Sequence, residues 1–379
     1  MNNPIPPLPP QLGQGNYPSV VGQQPHNTPL EMLESIPTAD TTRTATSTTT
    51  QVPITAEERT RAEIIIRNIS DSYSVKMVGQ DRLRNNLLVT LLAGGHILLE
   101  SVPGLAKTTA AHALASTVSA SFKRIQCTPD LLPSDIIGTQ IYNQQESTFE
   151  TQLGPVHSHF VLLDEVNRSS AKTQSAMLEA MQEKQTSIGG EVYRLPEPFF
   201  VIATQNPIEQ EGTYHLPEAQ LDRFLMKDIL DYPKPLEELE ILSRLDQGLL
   251  TIRNEAESVA TIEDILYLQD ITSRVYVDIA LRQYIINIVY ATRYPKDFIS
   301  PKMARVLEYG ASPRASIAFL QGARALALIK GRSHVIPDDI KALRHPILRH
   351  RLILSYDAEI EGITPETIID QIFDTVPIP

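Results

Sequence analysis

The sequence of 379 residues has no tryptophan, one cysteine and few aromatic residues. Cys127 alone cannot form an intrachain disulfide, so the chain fits a reducing compartment and is long enough to depend on a packed core. The sequence also lacks any apolar run near the roughly 20 residues that a membrane-spanning helix needs. We therefore expect a soluble, cytoplasmic protein with no membrane span.

Positive charge is also scarce, because the formal net charge is −12 at pH 7. Nucleic-acid binding depends on neutralising phosphates, so the charge argues against a protein that mainly binds nucleic acid. One basic cluster, RHPILRHR at residues 344–351, is either a patch for nucleic acid or membrane, or a solvated helix face. The histidine pairs His157/His159 and His345/His350 lack the carboxylates or cysteines that would complete a ligand set, so no metal site made of protein ligands alone is predicted.

The chain divides into three segments by composition and periodicity. Residues 1–55 are rich in proline and threonine and poor in charge, which predicts a disordered tail. In residues 56–233 short apolar runs alternate with helical patterns, which favours an α/β domain with a parallel sheet and helices on both faces. Residues 234–379 are almost wholly helical in pattern and predict a second, smaller, all-helical domain.

The predicted elements of the middle segment follow from apolar periodicity and turn residues. The predicted strands are residues 96–100, 122–127, 159–164 and 198–204. The predicted helices are residues 57–74, 81–93, 108–119 and 170–184. Two polar insertions, residues 138–154 and 186–195, predict hairpins.

Residues 96–109, HILLESVPGLAKTT, read as an apolar strand, a tight turn and a helix that starts near Lys107 and Thr108. A helix start offers unpaired N–H groups and the positive end of the helix dipole, which together hold phosphate. In such a loop Lys107 reaches the β- and γ-phosphates and the Thr108 hydroxyl ligates Mg²⁺. The usual pattern, G-x-x-x-x-G-K-[ST], has glycine where this chain has Ser101 and Ala106. The alternative is a strand–turn–helix junction with a surface lysine.

Two further strands end in polar residues. HFVLLDEVNR places Asp164 and Glu165 at a strand end, where Asp164 can hold Mg²⁺ and Glu165 can orient the attacking water. FFVIATQN ends at Asn206, and ligands gather at the carboxyl ends of parallel strands. We therefore expect Asn206 beside Lys107 and Glu165, bonding the γ-phosphate or the water. The alternatives are solvated acids at a strand end and an ordinary turn asparagine.

Two arginines follow. Arg223, in LPEAQLDRF, either pairs with Asp222 or Glu218 or acts as an arginine finger on the γ-phosphate held by a neighbouring subunit. Arg314, in GASPRA, stands near a helix start in the second domain. We expect it to fold back over the nucleotide and link phosphate occupancy to the domain angle.

Taken in order, these motifs resemble the MoxR group of AAA+ ATPases. The segments that carry the resemblance are SVPGLAKT, FVLLDEVNRSSAKTQSAMLEAMQE, VIATQNPIEQEGTYHLPEAQLDRF and GASPRA, with VGQ at residues 78–80 and RIQCTPDLLPSDIIGT at residues 124–139. The resemblance covers residues 57–351. Ser101 departs from the family pattern, which has glycine there.

The resemblance implies an αβα P-loop core with a parallel sheet, followed by a helical lid, in a ring of usually six subunits. It implies ATP and Mg²⁺ between subunits, with Arg223 acting in trans. By position, Lys107 and Thr108 match the Walker A pair, Asp164 and Glu165 the Walker B pair, Asn206 sensor 1 and Arg314 sensor 2, and Thr108 and Asp164 would hold the metal. The implied nucleotide-binding positions are Val78, Gly79 and Gln80, near the adenine, and Val102, Pro103, Gly104, Leu105, Ala106, Lys107, Thr108 and Thr109.

The implied function is ATP-driven, chaperone-like remodelling or maturation of a protein client, including insertion of a metal or cofactor. The resemblance suggests a partner with a von Willebrand factor A domain, and it likens the two hairpins to inserts that face the ring pore. The hinge between core and lid is expected near residues 232–235. Two alternatives remain: an ATP-driven nucleic-acid motor, and a nucleotide-gated scaffold with little turnover, which Ser101 motivates.

Overall fold

The computed structural model describes residues 52–102, 105, 107–207, 214, 216–248 and 258–379. These residues belong to one compact unit that extends from residue 47 to the C-terminus. Of the predicted disordered tail, positions 1–51 lie outside the described residues. So do Pro103, Gly104 and Ala106 of the predicted phosphate loop.

The helices and strands alternate in the first part of the chain, and helices dominate the second. The strands are β1 Ile97–Glu100, β2 Phe122–Gln126, β3 Gly138–Asn143, β4 Thr148–Leu153, β5 Phe160–Asp164, β6 Gln185–Ile188, β7 Glu191–Arg194, β8 Phe200–Gln205, β9 Met226–Ile229, β10 Leu307–Tyr309 and β11 Ile353–Leu354. The α-helices are α1 Ala56–Lys76, α2 Asp81–Leu92, α3 Lys107–Ala115, α4 Pro133–Ile137, α5 Ala171–Glu183, α6 Glu218–Leu221, α7 Pro235–Asp246, α8 Ile262–Arg274, α9 Ile279–Arg293, α10 Pro301–Val306, α11 Pro313–Ile329, α12 Pro337–Ala342, α13 Arg344–Leu348, α14 Tyr356–Ile360 and α15 Pro365–Thr375.

Five strands form one parallel sheet in the order β2, β5, β8, β1, β9. Strand β5 is buried along its whole length, which is typical of a parallel sheet covered on both faces. The predicted α/β fold and its four predicted strands are confirmed. Strand β9 was not predicted, because this four-residue strand carries Lys227 and Asp228 and shows no apolar run.

Both predicted hairpins form. β3 pairs with β4 and β6 pairs with β7, each antiparallel. Gly189 and Gly190 make the β6–β7 turn with φ of +61° and +89°, a conformation that favours glycine. The hairpins also touch each other, because the Tyr193 hydroxyl donates to Thr151 Oγ1 at 2.9 Å.

The N-terminal helix α1 is attached to the helical part of the chain. A capping box between Thr55 and Glu58 starts it, with the Glu58 N–H donating to Thr55 Oγ1 at 3.2 Å. The same Glu58 carboxylate accepts two bonds of 2.8 Å from Arg274 at the end of α8. These contacts, with the Arg61 guanidinium 4.4 Å from the Tyr267 ring centre, join α1 to α8.

The helical part departs from the prediction in one respect. β10 and β11 form a short antiparallel pair within the predicted all-helical segment, and the Ser355 N–H extends the pairing by donating to Val306 O at 2.8 Å. Strands of three and two residues leave too short a pattern to detect in sequence. The lid is therefore helical with one small β-ladder.

Buried residues of many helices and part of the sheet form one apolar cluster, which includes Leu87, Leu99, Phe319 and Ile369. A second cluster joins other sheet residues to α5 and includes Leu163, Val201 and Met177. The predicted domain boundary between residues 233 and 234 stays a prediction. None of the helices in the described part of the chain combines the length and apolar character that a membrane crossing requires.

His96, directly before β1, is buried between the sheet and α5. Its Nδ1 accepts a hydrogen bond from the Val201 N–H at 3.1 Å, so Nε2 carries the proton and faces Met181 O at 3.4 Å. Burial lowers the pKa of His96 to about 4, although the Met181 contact opposes the change. The folded protein therefore keeps His96 neutral well below pH 6.

We predict that the free energy of unfolding falls as the pH decreases from about 6.5 to about 4, because the unfolded chain then binds a proton at His96 that the folded chain does not. The difference between these pKa values corresponds to about 3 kcal/mol. Urea unfolding of His96→Gln across this range should show a weaker pH dependence of the free energy of unfolding. The dependence is reduced rather than abolished, because buried His350 acts in the same direction. The exposed control His334→Gln keeps the original dependence, and an unaltered dependence in His96→Gln would contradict the prediction.

Candidate active site

Lys107 begins helix α3 at the carboxyl edge of the parallel sheet. Its Nζ donates to Ser101 O at 3.0 Å, directly after β1, and to Gln205 O at 3.3 Å, at the end of β8. The lysine thus lies across the ends of two adjacent strands. The start of α3 faces the same edge, where unpaired N–H groups favour an anion.

Asp164 ends β5 and joins this group. Its Oδ2 accepts a 3.3 Å bond from the Thr108 hydroxyl, and its Oδ1 accepts a 2.7 Å bond from the Thr204 hydroxyl. Arg124 donates to Oδ2 from Nη2 at 2.6 Å and from Nε at 3.1 Å. Burial raises the pKa of Asp164, but the bonds from Thr204 and Arg124 lower it by more, so the net pKa lies below its ordinary value. The carboxylate is therefore ionised at neutral pH.

Glu165 follows with a left-handed backbone, at φ of +57°. This conformation is costly for a residue with a side chain, and here the Glu165 N–H donates to the fully buried Thr204 hydroxyl at 2.9 Å. The Glu165 carboxylate accepts from Gln126 Nε2 at 3.0 Å and Arg168 Nη1 at 3.2 Å. Two adjacent acids thus have different surroundings.

Asn206 directly follows Gln205, whose carbonyl accepts the bond from Lys107. Asn206 is buried, and its carbonyl accepts a 3.3 Å bond from Asn167 Nδ2. The structure thus gathers Lys107, Thr108, Asp164, Glu165 and Asn206 at the ends of β1, β5 and β8. We call these five residues the strand-end cluster.

The predicted loop borders this cluster as far as it is described. Val102, Leu105 and Thr109 lie within the described residues. Ser101, at the position where the usual pattern has glycine, is buried, and its hydroxyl donates to Val102 O at 3.0 Å. A local partner therefore satisfies the serine hydroxyl.

Val78, Gly79 and Gln80 lie against the start of the helical part. Gly79 has φ of +66°, and a Cβ at this position would stand 2.6–2.9 Å from the Glu237 carboxylate. Gln80 Nε2 donates to Asp231 O at 3.1 Å. This segment therefore adjoins the predicted hinge.

Arg223 and Arg314 lie elsewhere, in a cleft of about 210 Å³. Arg223 Nη1 donates to Leu178 O at 2.9 Å, and Arg314 Nη1 lies 3.5 Å from Asp222 Oδ2. Of the described residues that line this cleft, none belongs to the strand-end cluster. The expectation that Arg314 folds back over the nucleotide of its own chain does not match this placement, because Asp222 holds it beside Arg223. We call this second site the arginine cleft.

Three further residues contact the strand-end cluster and were not predicted from the sequence: Arg124, Gln126 and Thr204. Arg124 and Gln126 lie on β2, and the parallel register sets Gln126 opposite Asp164. Thr204 lies on β8, beside Asp164 on the neighbouring strand. Only strand order and register bring these side chains together, so no local motif predicts them.

Mg²⁺ prefers oxygen ligands and usually takes one or two carboxylates together with substrate phosphates. The Thr108 hydroxyl and the ionised Asp164 carboxylate, 3.3 Å apart, provide such oxygens at the start of α3. The residues present therefore fit the metal. Among the described residues, no group of three or more His, Cys, Asp or Glu side chains is arranged to hold a metal ion.

Comparison with known proteins agrees with this architecture. Residues 96–226 match the ATPase family associated with various cellular activities (AAA), and residues 303–372 match the AAA lid domain. The first range holds the strand-end cluster and Arg223, and the second holds Arg314.

Whole-chain relatives point to one branch of this family. Chaperone MoxR1 of Mycobacterium tuberculosis is 48% identical over 303 residues, which are 80% of this chain and 79% of that protein. Protein MoxR of Paracoccus denitrificans is 30% identical over 328 residues, 80% of this chain and 93% of that one. A crystal structure of a Cytophaga hutchinsonii protein assigned as an ATPase superposes with a TM-score of 0.80 at 47% identity, covering 85% of this chain and 97% of that one. The chain belongs to the MoxR family of AAA+ ATPases.

Proposed function

We propose that this protein hydrolyses ATP with Mg²⁺ at the strand-end cluster. The observation that carries the proposal is the convergence of a helix-start lysine and threonine with two acids of unlike surroundings. Lys107 binds the β- and γ-phosphates, and Thr108 and Asp164 hold Mg²⁺, which neutralises phosphate charge when bound. Glu165 orients the attacking water, and Asn206 bonds the γ-phosphate or that water.

The remaining nucleotide contacts come from the predicted loop and the segment before α2. In this proposal the backbone from Val102 through Pro103, Gly104, Leu105 and Ala106 to Thr109 surrounds the phosphates. Val78, Gly79 and Gln80 border the adenine. Because Gly79 adjoins Glu237, the nucleotide would meet both the sheet and the helical part.

We propose further that Arg223 and Arg314 complete the site of a neighbouring subunit. β1 and β9 are parallel, and Arg223 precedes β9, whereas Lys107 follows β1. His96 lines the arginine cleft, and the Ser101 carbonyl accepts the bond from Lys107. These two residues are five positions apart on extended backbone, a distance of about 16 Å. An arginine at the amino edge of the sheet therefore cannot reach a phosphate at the carboxyl edge of its own chain.

Two complementary half-sites on opposite edges favour a head-to-tail ring. In such a ring, which we propose to contain six copies, each interface joins the strand-end cluster of one subunit to the arginine cleft of the next. The planar guanidinium groups then stabilise charge on the transferring phosphate.

We infer that the work is chaperone-like and acts on a protein client. One relative carries the name chaperone. The hairpins expose apolar side chains, with the Tyr142 and Phe149 rings 5.2 Å apart and Val192 also exposed. A surface of this kind suits protein contact. A von Willebrand factor A domain protein is the partner class that we propose, in a maturation step that includes metal or cofactor insertion.

ATP turnover by the purified protein tests the first proposal. We expect Glu165→Gln to retain nucleotide binding and to lower kcat by about 10²–10⁴-fold, because the attacking water loses its carboxylate. Phosphate release and binding of a fluorescent ATP analogue give the two measurements. The control Glu179→Gln, on the exposed face of α5, should turn over normally. Equal rates for Glu165→Gln and the control would refute the role of Glu165.

Mixing inactive variants tests the shared site. Lys107→Ala removes the phosphate-binding lysine and Arg223→Ala removes the finger, so each alone should be inactive. In an equal mixture about one interface in four is intact, and we expect activity near that fraction of the unsubstituted protein. Light scattering with ATP checks that the variants co-assemble. Co-assembly without recovered turnover would exclude action in trans.

Client capture tests the chaperone-like role. Glu165→Gln held with ATP should retain a protein from a cell extract, because the nucleotide-bound state persists. Phe149→Ser in the same background should release it if the hairpin surface makes the contact. Retention that is independent of both ATP and Phe149 would argue against this role.

A further inference from the structure

Arg351 is a buried arginine whose side chain is only 2% exposed. Its Nε donates to Asp222 Oδ1 at 2.8 Å, and its Nη2 donates to Phe224 O at 2.7 Å and Asp222 O at 3.3 Å. Its Nη1 donates to Leu225 O at 3.2 Å and to Ile347 O. A guanidinium has five N–H donors, so every one of them has an acceptor here.

Four of these five acceptors belong to residues 222–225, the segment that carries Arg223. The bonded carbonyls stand on both sides of Arg223, at Asp222 and at Phe224 and Leu225. His350, in the same turn after α13, adds a contact with its Nε2 3.2 Å from Phe224 O. The region matched by the lid family therefore fixes the backbone from which Arg223 projects.

The carboxylate of Asp222 connects the second arginine to the same anchor. Its Oδ1 is bound by Arg351, while its Oδ2 accepts a 2.7 Å bond from the Ser312 hydroxyl and lies 3.5 Å from Arg314 Nη1. Ser312 also caps α11, which begins with Pro313 and Arg314, by accepting from the Arg314 N–H at 3.1 Å. The buried Arg351 guanidinium is thus linked through Asp222 to the segments that carry both arginines of the cleft.

Burying a cation is expensive, and a buried ion pair is by itself weak support for stability. Burial lowers the pKa of Arg351 to about 10, while the charge of Asp222 opposes this, so the group stays protonated at neutral pH. A residue that only filled space here could be apolar. The five directed bonds instead specify the geometry of one loop.

We propose that Arg351 is a positioning residue for catalysis in the neighbouring subunit: it holds residues 222–225 and Asp222 so that Arg223 and Arg314 reach that subunit's triphosphate together. The inference rests on the proposed function, since it needs a site shared between copies of the chain. In this proposal the lid region of a subunit sets the position of the Arg223 and Arg314 side chains that the same subunit donates to its neighbour. Arg351 itself touches no nucleotide.

Arg351→Lys is the main test variant. Lysine keeps the positive charge for Asp222 but has only three donors and no planar geometry, so the 222–225 segment loses its fixed position. We expect kcat to fall by about 10–100-fold, the effect of misplacing a catalytic group by about 1 Å, with KM for ATP changing less. Thermal unfolding verifies that the variant is folded.

A matched control is Arg332→Lys. Arg332 also belongs to the lid region and donates two bonds, of 2.8 and 2.6 Å, to the buried Asp339 carboxylate. Its side chain bonds Asp339 and His334 O, not residues 222–225, among the residues that the structure describes, and it loses the same kind of paired bond on substitution. If general loosening of the lid caused the loss of turnover, Arg332→Lys would show a similar fall in kcat.

Mixed assemblies separate a defect in the donated arginines from a defect in the nucleotide site. Arg351→Lys mixed with Lys107→Ala pairs an intact strand-end cluster with an intact arginine cleft at about one interface in four, so turnover should recover toward that fraction. Arg351→Lys mixed with Arg223→Ala has no intact arginine cleft and should stay low. The Lys107→Ala and Arg223→Ala mixture is run alongside.

The proposal is supported if turnover recovers when Arg351→Lys is mixed with Lys107→Ala but not when it is mixed with Arg223→Ala. The proposal is overturned if turnover recovers only with Arg223→Ala, with both partners or with neither. It is also overturned if Arg332→Lys loses as much kcat as Arg351→Lys. If the Lys107→Ala and Arg223→Ala mixture itself stays inactive although the subunits co-assemble, the shared site of the proposed function fails, and the role of Arg351 fails with it. If that mixture recovers while the Arg351→Lys pattern does not, only the positioning role fails.

Discussion

The carboxylate of Asp164 is the point on which the strand-end cluster depends. It accepts bonds from Thr108 on α3, Thr204 on β8 and Arg124 on β2, so side chains from three other elements meet at the end of β5. Thr204 uses its hydroxyl a second time to accept the N–H of Glu165, which stabilises the left-handed turn there. One buried hydroxyl therefore contacts both the Asp164 carboxylate and the Glu165 backbone. The different surroundings of the two acids suit the metal-binding and water-activating roles that we propose for them.

Local motifs named all five residues of this cluster because each of them stands at the end of an apolar strand or at a helix start. Lys107, Thr108, Asp164, Glu165 and Asn206 need only the rule that parallel strands end at one edge of the sheet. Cross-strand partners such as Gln126 depend on strand order and register, which periodicity does not specify. Strand β9 was missed because it has no apolar run, since Lys227 and Asp228 separate its two apolar residues.

The position of Arg314 shows a different limit. Its motif and its helix start were visible in the sequence, but its direction depends on a tertiary contact with Asp222. Strand β9 is the reason for this outcome. The strand runs parallel to β1, so residues 222–225 before it lie at the amino edge and residues 231–237 after it lie at the carboxyl edge. Without β9 in the prediction, nothing in the sequence separated Arg314 from the phosphate loop of the same chain.

The helical part of the chain contacts both edges of the sheet. At the carboxyl edge, α7 places Glu237 beside Gly79, and Arg244 donates to the carbonyls of Ser74 and Val75 at 2.8 and 3.0 Å. At the amino edge, Arg351 binds the segment that carries Arg223. A five-stranded sheet is too rigid to carry a large displacement between its edges, whereas helices packed beside it can shift as units. If the site is shared between copies as proposed, a change at the nucleotide of one subunit would reach that subunit's own Arg223 and Arg314 through the helical part rather than through the sheet.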